Sequence, residues 1–239
     1  MPNHRRIKTA QSWLSDRSEG LPEIVSVIVI TLLDNFINRG LAALVFSPIL
    51  GSQTIGRIVV HVNLLSIVQW ILMIAIFLIW IIGWHKLYRP IVLVYLTYVT
   101  IFLELTVLGM FLNLFLLSGP QAALNLLLDA GLVWVVSLIV FTLWYWLLDS
   151  ENYLLRRQGK GRPLDFGFPQ YATHTPGWQN WQPGFFDYLF IAFTTSATFS
   201  PYSDTQVLSP RAKVLLILNI FNAVITIVII AARAIGLMA

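Results

Sequence analysis

The chain has 239 residues, of which 57% are hydrophobic and only 11% charged, and its mean hydropathy is +0.76. Soluble domains carry about 25% charged residues, so this composition excludes an ordinary soluble domain and predicts a membrane protein. The net charge of +4 is small and scattered, which argues against nucleic-acid binding, and the absence of cysteine excludes disulfides, thiolate metal sites and cysteine nucleophiles.

The first twenty residues are polar and basic, and no small-residue cleavage site follows the next apolar run. Residues 1–20 are therefore interpreted as a retained cytoplasmic tail, not a signal peptide. Beyond the tail, a membrane-spanning helix needs about 20 apolar residues. Five segments reach or approach that length: residues 22–46, 62–84, 91–117, 126–148 and 212–235.

A polar loop at residues 149–184, rich in Gly, Pro, Trp and charge, precedes a short apolar segment at 185–199. As a helix this segment would be about 22 Å long, less than the roughly 30 Å of hydrocarbon core, so a re-entrant half-helix is expected. The predicted fold class is an all-α polytopic membrane bundle with about five transmembrane helices plus this half-helix. Its parts are the tail, the N-terminal helices at 21–125 and a pore-loop-like unit at 126–239.

Basic residues predict the orientation of the bundle. With the N-terminus inside, the basic residues of the tail, of the turn around Lys86 and Arg89 and of the long loop all fall on the cytoplasmic side, a strong positive-inside asymmetry. Arg211 and Lys213 would also lie there, so the segment 185–204 would enter and leave from the cytoplasm. The expected location is a bacterial inner membrane.

Charged side chains inside the predicted helices are candidate functional residues, because a carboxylate in the membrane centre costs at least about 2.5 kcal/mol and is usually paired or functional. Glu104 lies in the middle of the third segment. It is either a proton or cation site or a partnered carboxyl that joins two helices. Asp34 and Arg39 interrupt the first segment, and Arg39 is a candidate partner for Glu104 or Asp34. The alternatives for this group are a structural interhelical network and a transport path.

Two further polar groups lie near the C-terminus. Asn219, Asn222 and Thr226 share one face of the last helix, where they either line a wet path or hydrogen-bond a neighbouring helix. The end of the half-helix is rich in hydroxyl groups, which either form a constriction or satisfy backbone groups that lipid cannot. Ser209 and Pro210 are typical of a helix N-cap and first helical position.

Signatures of enzymes and metal sites are missing from the sequence. The four histidines lie in separate segments, and there is no HExxH, nucleophile-elbow, P-loop or dinucleotide-binding motif. We therefore expect no enzymatic activity, no catalytic residue, no metal and no cofactor.

The segment FIAFTTSATFSPYSDT resembles a degenerate pore loop of the potassium-channel superfamily, with Phe193, Thr194, Thr195, Thr198, Tyr202 and Asp204 at matching positions. Both filter glycines are absent: Ser200 and Pro201 replace the first, and Ser203 replaces the second. Other residues do not adopt the backbone angles of a carbonyl-lined filter cheaply, so potassium selectivity is not expected.

The C-terminal part also resembles a family of bacterial integral membrane proteins that carry a domain of unknown function. Shared features are an aromatic pair, a charged loop, an LDF motif and a following SDTxVxS motif. The matching residues are Trp144, Tyr145, Leu164, Asp165, Phe166, Asp187, Tyr188, Leu189, Phe193, Thr194, Thr198, Phe199, Ser203, Asp204, Thr205, Val207, Ser209 and Arg211. This resemblance implies a multipass inner-membrane protein and no particular activity.

The sequence thus predicts a channel-like protein that conducts ions, with monovalent ions as the candidates, through a homo-oligomeric pore lined by the degenerate loop and the last helix. Several copies are required because two helices and one loop cannot enclose a path. The alternatives are a non-conducting structural or partner-binding membrane protein and a proton-coupled small-solute transporter that uses Glu104. Membrane lipids are the other expected partners.

Overall fold

A computed structural model describes residues 20–37, 51–116, 120–157, 164–172, 181–200 and 205–238. Within those ranges the chain is all-α, as predicted, apart from one short pair of strands. The described residues form six α-helices: α1 (Gly20–Ile37), α2 (Gly51–Ile82), α3 (His85–Leu116), α4 (Pro120–Arg157), α5 (Phe185–Thr198) and α6 (Pro210–Met238).

Four of these helices are long and apolar enough to cross a membrane, through Gly20–Ile37, Leu87–Leu112, Leu124–Asp149 and Pro210–Ile235. In α2 the apolar part is Ser66–Ile82, which is shorter. Long apolar runs adopt helices because lipid offers no hydrogen-bond partner to the backbone. The protein is therefore a helical membrane protein. Of the first predicted segment, residues 38–46 lie outside the described part of the chain.

A tight turn joins α2 to α3. Gly83 has a φ of +80°, and its N–H and that of Trp84 both donate to the carbonyl of Ile79, at 2.9 and 3.2 Å. This left-handed conformation is one that glycine adopts without steric cost, so the helix can end and reverse within two residues.

Contacts between helix ends fix the directions of the helices. Trp146 Nε1 donates to Glu23 at 2.6 Å, and Arg89 donates to the carbonyl of Leu147 at 3.0 Å. At the opposite end of the bundle, Arg233 donates to the carbonyl of Leu114 at 2.9 Å. Helices α1, α3 and α6 therefore run in one direction, and α4 runs against them. We call the end with Glu23 and Arg89 the loop end, and the end with Leu114 the far end.

An antiparallel pair of two-residue strands lies at the loop end. Strand β1 (Phe166–Gly167) pairs with β2 (Gln206–Val207), with Phe166 opposite Val207 and Gly167 opposite Gln206. Phe166 is buried and forms edge contacts with Tyr145 of α4 and Tyr188 of α5, at ring-centroid distances of 5.3 and 6.0 Å. The polar loop is thus fastened to both helices and to the segment that precedes α6.

The half-helix α5 enters the bundle from the loop end and stops inside it. Near its start, the hydroxyl of Tyr188 donates to Asp149 at 2.6 Å. Near its end, the hydroxyl of Ser196 donates to Asn219 of α6 at 2.9 Å. The chain is back at the loop end by β2. The re-entrant half-helix expected at 185–199 is therefore present as a helix of 14 residues, about 21 Å long.

Candidate functional site

The carboxylate of Asp165 joins the polar loop to the first turn of α6. It is fully buried and accepts two hydrogen bonds from Arg211, from Nε at 2.9 Å and from Nη2 at 2.8 Å. It also accepts a bond from the hydroxyl of Ser209. Ser209 in turn accepts from the N–H of Ala212 at 3.2 Å, which confirms Ser209 as the N-cap of α6. Residues of the LDF and SDTxVxS motifs therefore meet in one place.

Asn219 is the centre of a polar group that connects α4, α5 and α6. Besides accepting from Ser196, its amide donates to the hydroxyl of Tyr145 at 3.1 Å and to the carbonyl of Ala192 at 3.5 Å. Asn219, Ser196 and Tyr145 are all fully buried. The side-chain amide of Asn219 on α6 thus pairs with polar groups of both α4 and α5, in an interior where an unpaired polar group is costly.

Asn222 continues this polar group toward α3. Its side-chain amide donates to Glu104 at 3.4 Å, and its backbone carbonyl accepts from the hydroxyl of Thr226 at 2.8 Å. We call Ser196, Asn219, Asn222, Thr226 and Glu104 the polar seam. The three α6 residues are at most 1% exposed. The predicted stripe therefore faces the other helices of the same chain and does not form an outer surface.

Asp34 is held by a partner that the sequence did not indicate. The amide of Gln69 in α2 donates to Asp34 at 2.9 Å. Near it, Thr31 and Tyr95 share a hydrogen bond of 2.8 Å, and Tyr95 donates to the carbonyl of Val27 at 3.0 Å. Polar contacts of this kind tie α1 to α2 and α3. Arg39, the predicted partner of Asp34 or Glu104, lies outside the described residues.

The hydroxyl-rich end of α5 has an inner and an outer face. Thr195 and Ser196 are fully buried, whereas Thr198 and Ser200 are exposed. Thr194 donates to the carbonyl of Phe190 at 2.8 Å, and Thr198 donates to the carbonyl of Thr194 at 2.7 Å. Tyr202, Ser203 and Asp204, which complete the predicted pore-loop group, lie outside the described residues.

The backbone at the end of α5 takes an unusual turn. Phe199 has φ 57° and ψ 25°, the left-handed conformation in which helices often end, usually at glycine. The side chain of Phe199 is 42% exposed. An exposed aromatic residue therefore stands where the chain leaves helical geometry, next to the exposed hydroxyls of Thr198 and Ser200.

Sequence reasoning missed several residues of these groups. Gln69 and Asp149 are absent from the candidate residues predicted from sequence, and Tyr145 appears there only as part of the family resemblance. Gln69 is the one amide or charged side chain in the apolar stretch Ser66–Ile82, and that is the signal that could have marked it, since a polar atom inside an apolar span needs a partner. Among the residues that the structure describes, no three His, Asp or Glu side chains come together in a way that could hold a metal ion.

Comparisons with known proteins return nothing for this chain: no family model matches it, and neither does any curated protein or solved structure. The two resemblances drawn from the sequence therefore stay predictions.

Proposed function

We propose that this protein is an oligomeric membrane channel whose constriction is formed by the end of α5 from several copies. The observation that supports it is that the end of α5, with non-helical backbone at Phe199 and hydroxyl side chains at Thr198 and Ser200, is exposed on the surface of the chain partway along α6. The proposal requires, first, that this backbone lies at membrane depth and, second, that lipid cannot cover it.

Contacts with α6 give the depth of this backbone. Asn219, which binds Ser196, lies nine residues after Pro210, about 14 Å along the helix axis. Thr198 and Phe199 lie slightly deeper still. Because the apolar part of α6 runs from Pro210 to Ile235, about 39 Å, the end of α5 is near its middle.

Lipid is an unsuitable neighbour for backbone of this kind. Non-helical backbone at membrane depth is tolerated only where protein buries it or where it lines a water-filled cavity. Residues 197–200 are exposed on the surface of a single chain. A second copy, a water-filled path or both must therefore cover them, and a symmetric ring of such ends would enclose a pore.

The polar seam has a different role in this proposal. Its amides are buried and bonded between helices of one chain, so they support α5 and do not line the path. The lining residues are instead Thr198 and Ser200. The constriction lacks glycine and presents hydroxyl groups, so the expected pore discriminates weakly among small ions and is not selective for potassium.

The test is a flux assay in proteoliposomes with potassium, sodium, protons and chloride. We expect ion flux in the wild-type protein and a change of at least about tenfold in Thr198→Val, which removes an exposed hydroxyl with almost no change in shape. Thr97→Val is the matched control. Thr97 is also exposed and also bonds its own helix, donating to the carbonyl of Leu93 at 2.8 Å, but it lies on α3.

The outcomes of this assay distinguish the channel from the non-conducting and transporter alternatives. Flux that is unchanged in Thr198→Val, or changed equally in Thr97→Val, would show that the end of α5 does not form the constriction. An absence of flux for every ion, from protein that is folded and oligomeric, would favour the non-conducting alternative. Flux of a small solute that depends on pH and is lost in Glu104→Gln would favour the transporter.

A further inference from the structure

A cavity of about 140 Å³ lies at the loop end, between α3, α4 and α6. In size it is close to an engineered cavity of about 150 Å³ that holds benzene, so it can accept a group as large as a phosphodiester. Two arginines and four apolar or aromatic side chains line it: Arg89, Leu93, Trp144, Leu147, Leu148 and Arg211.

Both guanidinium groups are held in place by hydrogen bonds to other groups of the protein. Arg89 is fixed by its bond to the carbonyl of Leu147. Arg211 is fixed by the two bonds to the buried carboxylate of Asp165. Side chains that are already ordered lose little conformational entropy when a ligand binds, so the cavity is preorganised for an anion. Planar guanidinium groups are also well suited to phosphate oxygens.

The other walls of the cavity suit a lipid better than a soluble anion. Leu93, Leu147 and Leu148 present aliphatic surface, and the indole of Trp144 is fixed by its hydrogen bond to Thr100 at 2.8 Å. The cavity lies beside the ends of the membrane-spanning stretches Leu87–Leu112 and Leu124–Asp149. Phospholipid headgroups are found at this level, and basic pockets between transmembrane helices are known to bind them.

The charges near the cavity limit the charge of the ligand. Asp165 is paired with Arg211. One of the two cations is therefore already offset, and a polyanion would exceed the positive charge that remains. We propose that this cavity binds the singly charged phosphodiester of an anionic phospholipid, with Arg89 and Arg211 contacting the phosphate and the leucines contacting the adjoining glycerol and acyl groups. The site does not depend on the pore.

The experiment is native mass spectrometry of the detergent-solubilised full chain, titrated with phosphatidylglycerol or with phosphatidylcholine. We expect phosphatidylglycerol to bind more tightly. Arg89→Gln should raise its Kd by about tenfold or more, because hydrogen bonds to a charged group are lost. Leu148→Trp should have a similar effect by filling the cavity while both arginines remain.

Arg233→Gln is the matched control. Arg233 also donates to a helix-end carbonyl, that of Leu114, but at the far end and away from the cavity. Its loss should leave the Kd for phosphatidylglycerol unchanged. A third arm adds millimolar inorganic phosphate as competitor, and we expect it to displace little lipid.

Four results would overturn the assignment. Equal binding of the two lipids would show that the headgroup charge is not recognised. Equal effects of Arg89→Gln and Arg233→Gln, or no effect of Leu148→Trp, would place the lipid elsewhere. Complete displacement by inorganic phosphate would assign the cavity to a free anion.

Discussion

At the scale of single residues, the two members of the ion pair Asp165–Arg211 differ in their exposure to solvent. The carboxylate of Asp165 is fully buried, whereas the side chain of Arg211 is 44% exposed. Removing one member of a buried ion pair is costly because the charge left behind has no partner and no water. The cost therefore depends on which member is removed.

We expect Arg211→Ala to lower the free energy of unfolding by about 3 kcal/mol, because a buried carboxylate loses its guanidinium. Asp165→Ala should cost less, since the remaining guanidinium can be hydrated. The double variant should be at least about 1 kcal/mol more stable than Arg211→Ala alone. The measurement is reversible unfolding in mixed micelles.

Lys213→Ala is the control for this comparison, because Lys213 is an exposed cation on the same turn of α6. It should change stability by no more than about 0.5 kcal/mol. If Asp165→Ala proved as costly as Arg211→Ala, or if the double variant were the least stable of the three, burial of the carboxylate would not be what makes the pair important.

The partners of individual polar residues were beyond the reach of sequence analysis. Asp34 and Glu104 are recognisable as polar groups within membrane-spanning segments because they interrupt apolar runs. Their bonds to Gln69 and Asn222, however, depend on how helices far apart in sequence are rotated and aligned. A hydropathy pattern carries no information on that alignment between helices, so it cannot select one partner among several polar side chains.

At the scale of elements, α5 presents two faces that differ in their expected access to water. Ser196 is buried against α6, whereas Thr198 is exposed and lies on the path in the proposed channel. The chain contains no cysteine, so single cysteines can be introduced without background. Charged thiol reagents react with ionised thiols and therefore report the presence of water.

We expect Thr198→Cys to react with a membrane-impermeant thiol reagent and Ser196→Cys to be protected. Leu105→Cys is the control for lipid exposure. Leu105 is 60% exposed and follows Glu104, which contacts Asn222 of α6, so it lies at a comparable depth on the outside of α3. Reaction at Leu105→Cys as fast as at Thr198→Cys would mean that exposure alone, and not a water-filled path, governs the labelling.

Apolar length made the elements themselves predictable. The helices and the half-helix follow from the number of consecutive apolar residues, because the thickness of the membrane sets the length that each element needs. Strands β1 and β2 were not predicted. Each has two residues, too few for an alternating pattern, and their pairing depends on the burial of Phe166 between Tyr145 and Tyr188.

At the scale of the whole molecule, the helix directions predict which residues lie on the same side of the membrane. The turn around Trp84 and the residues before α5 both belong to the loop end, and Phe115 belongs to the far end. Trp84 and Phe115 are 58% and 73% exposed, and Gln182 is also exposed. A cysteine at each of these positions should therefore be open to a reagent applied from the side of the membrane on which that position lies.

We expect an impermeant reagent to label Phe115→Cys in intact cells. Trp84→Cys and Gln182→Cys should be labelled only after the cells are opened. The reason is the excess of basic residues expected on the cytoplasmic side. Labelling of Trp84→Cys and Gln182→Cys from opposite sides would contradict the helix directions, which place the turn before α3 and the start of α5 at the same end of the bundle. Labelling of both in intact cells would reverse the orientation and leave the fold unchanged.

The docking of α5 between α4 and α6 also has a consequence for biosynthesis. Helix α5 is too short to be inserted as a span, and α6, which supplies Asn219 and Arg211, is synthesised after it. As the chain emerges from the ribosome, α5 must therefore wait near the membrane surface until α6 has been inserted. Only then can Asn219 accept the hydrogen bond from Ser196. Only then, too, can Arg211 pair with Asp165 and hold the segment between them in place. A chain interrupted before α6 would leave α5 exposed to quality-control proteases.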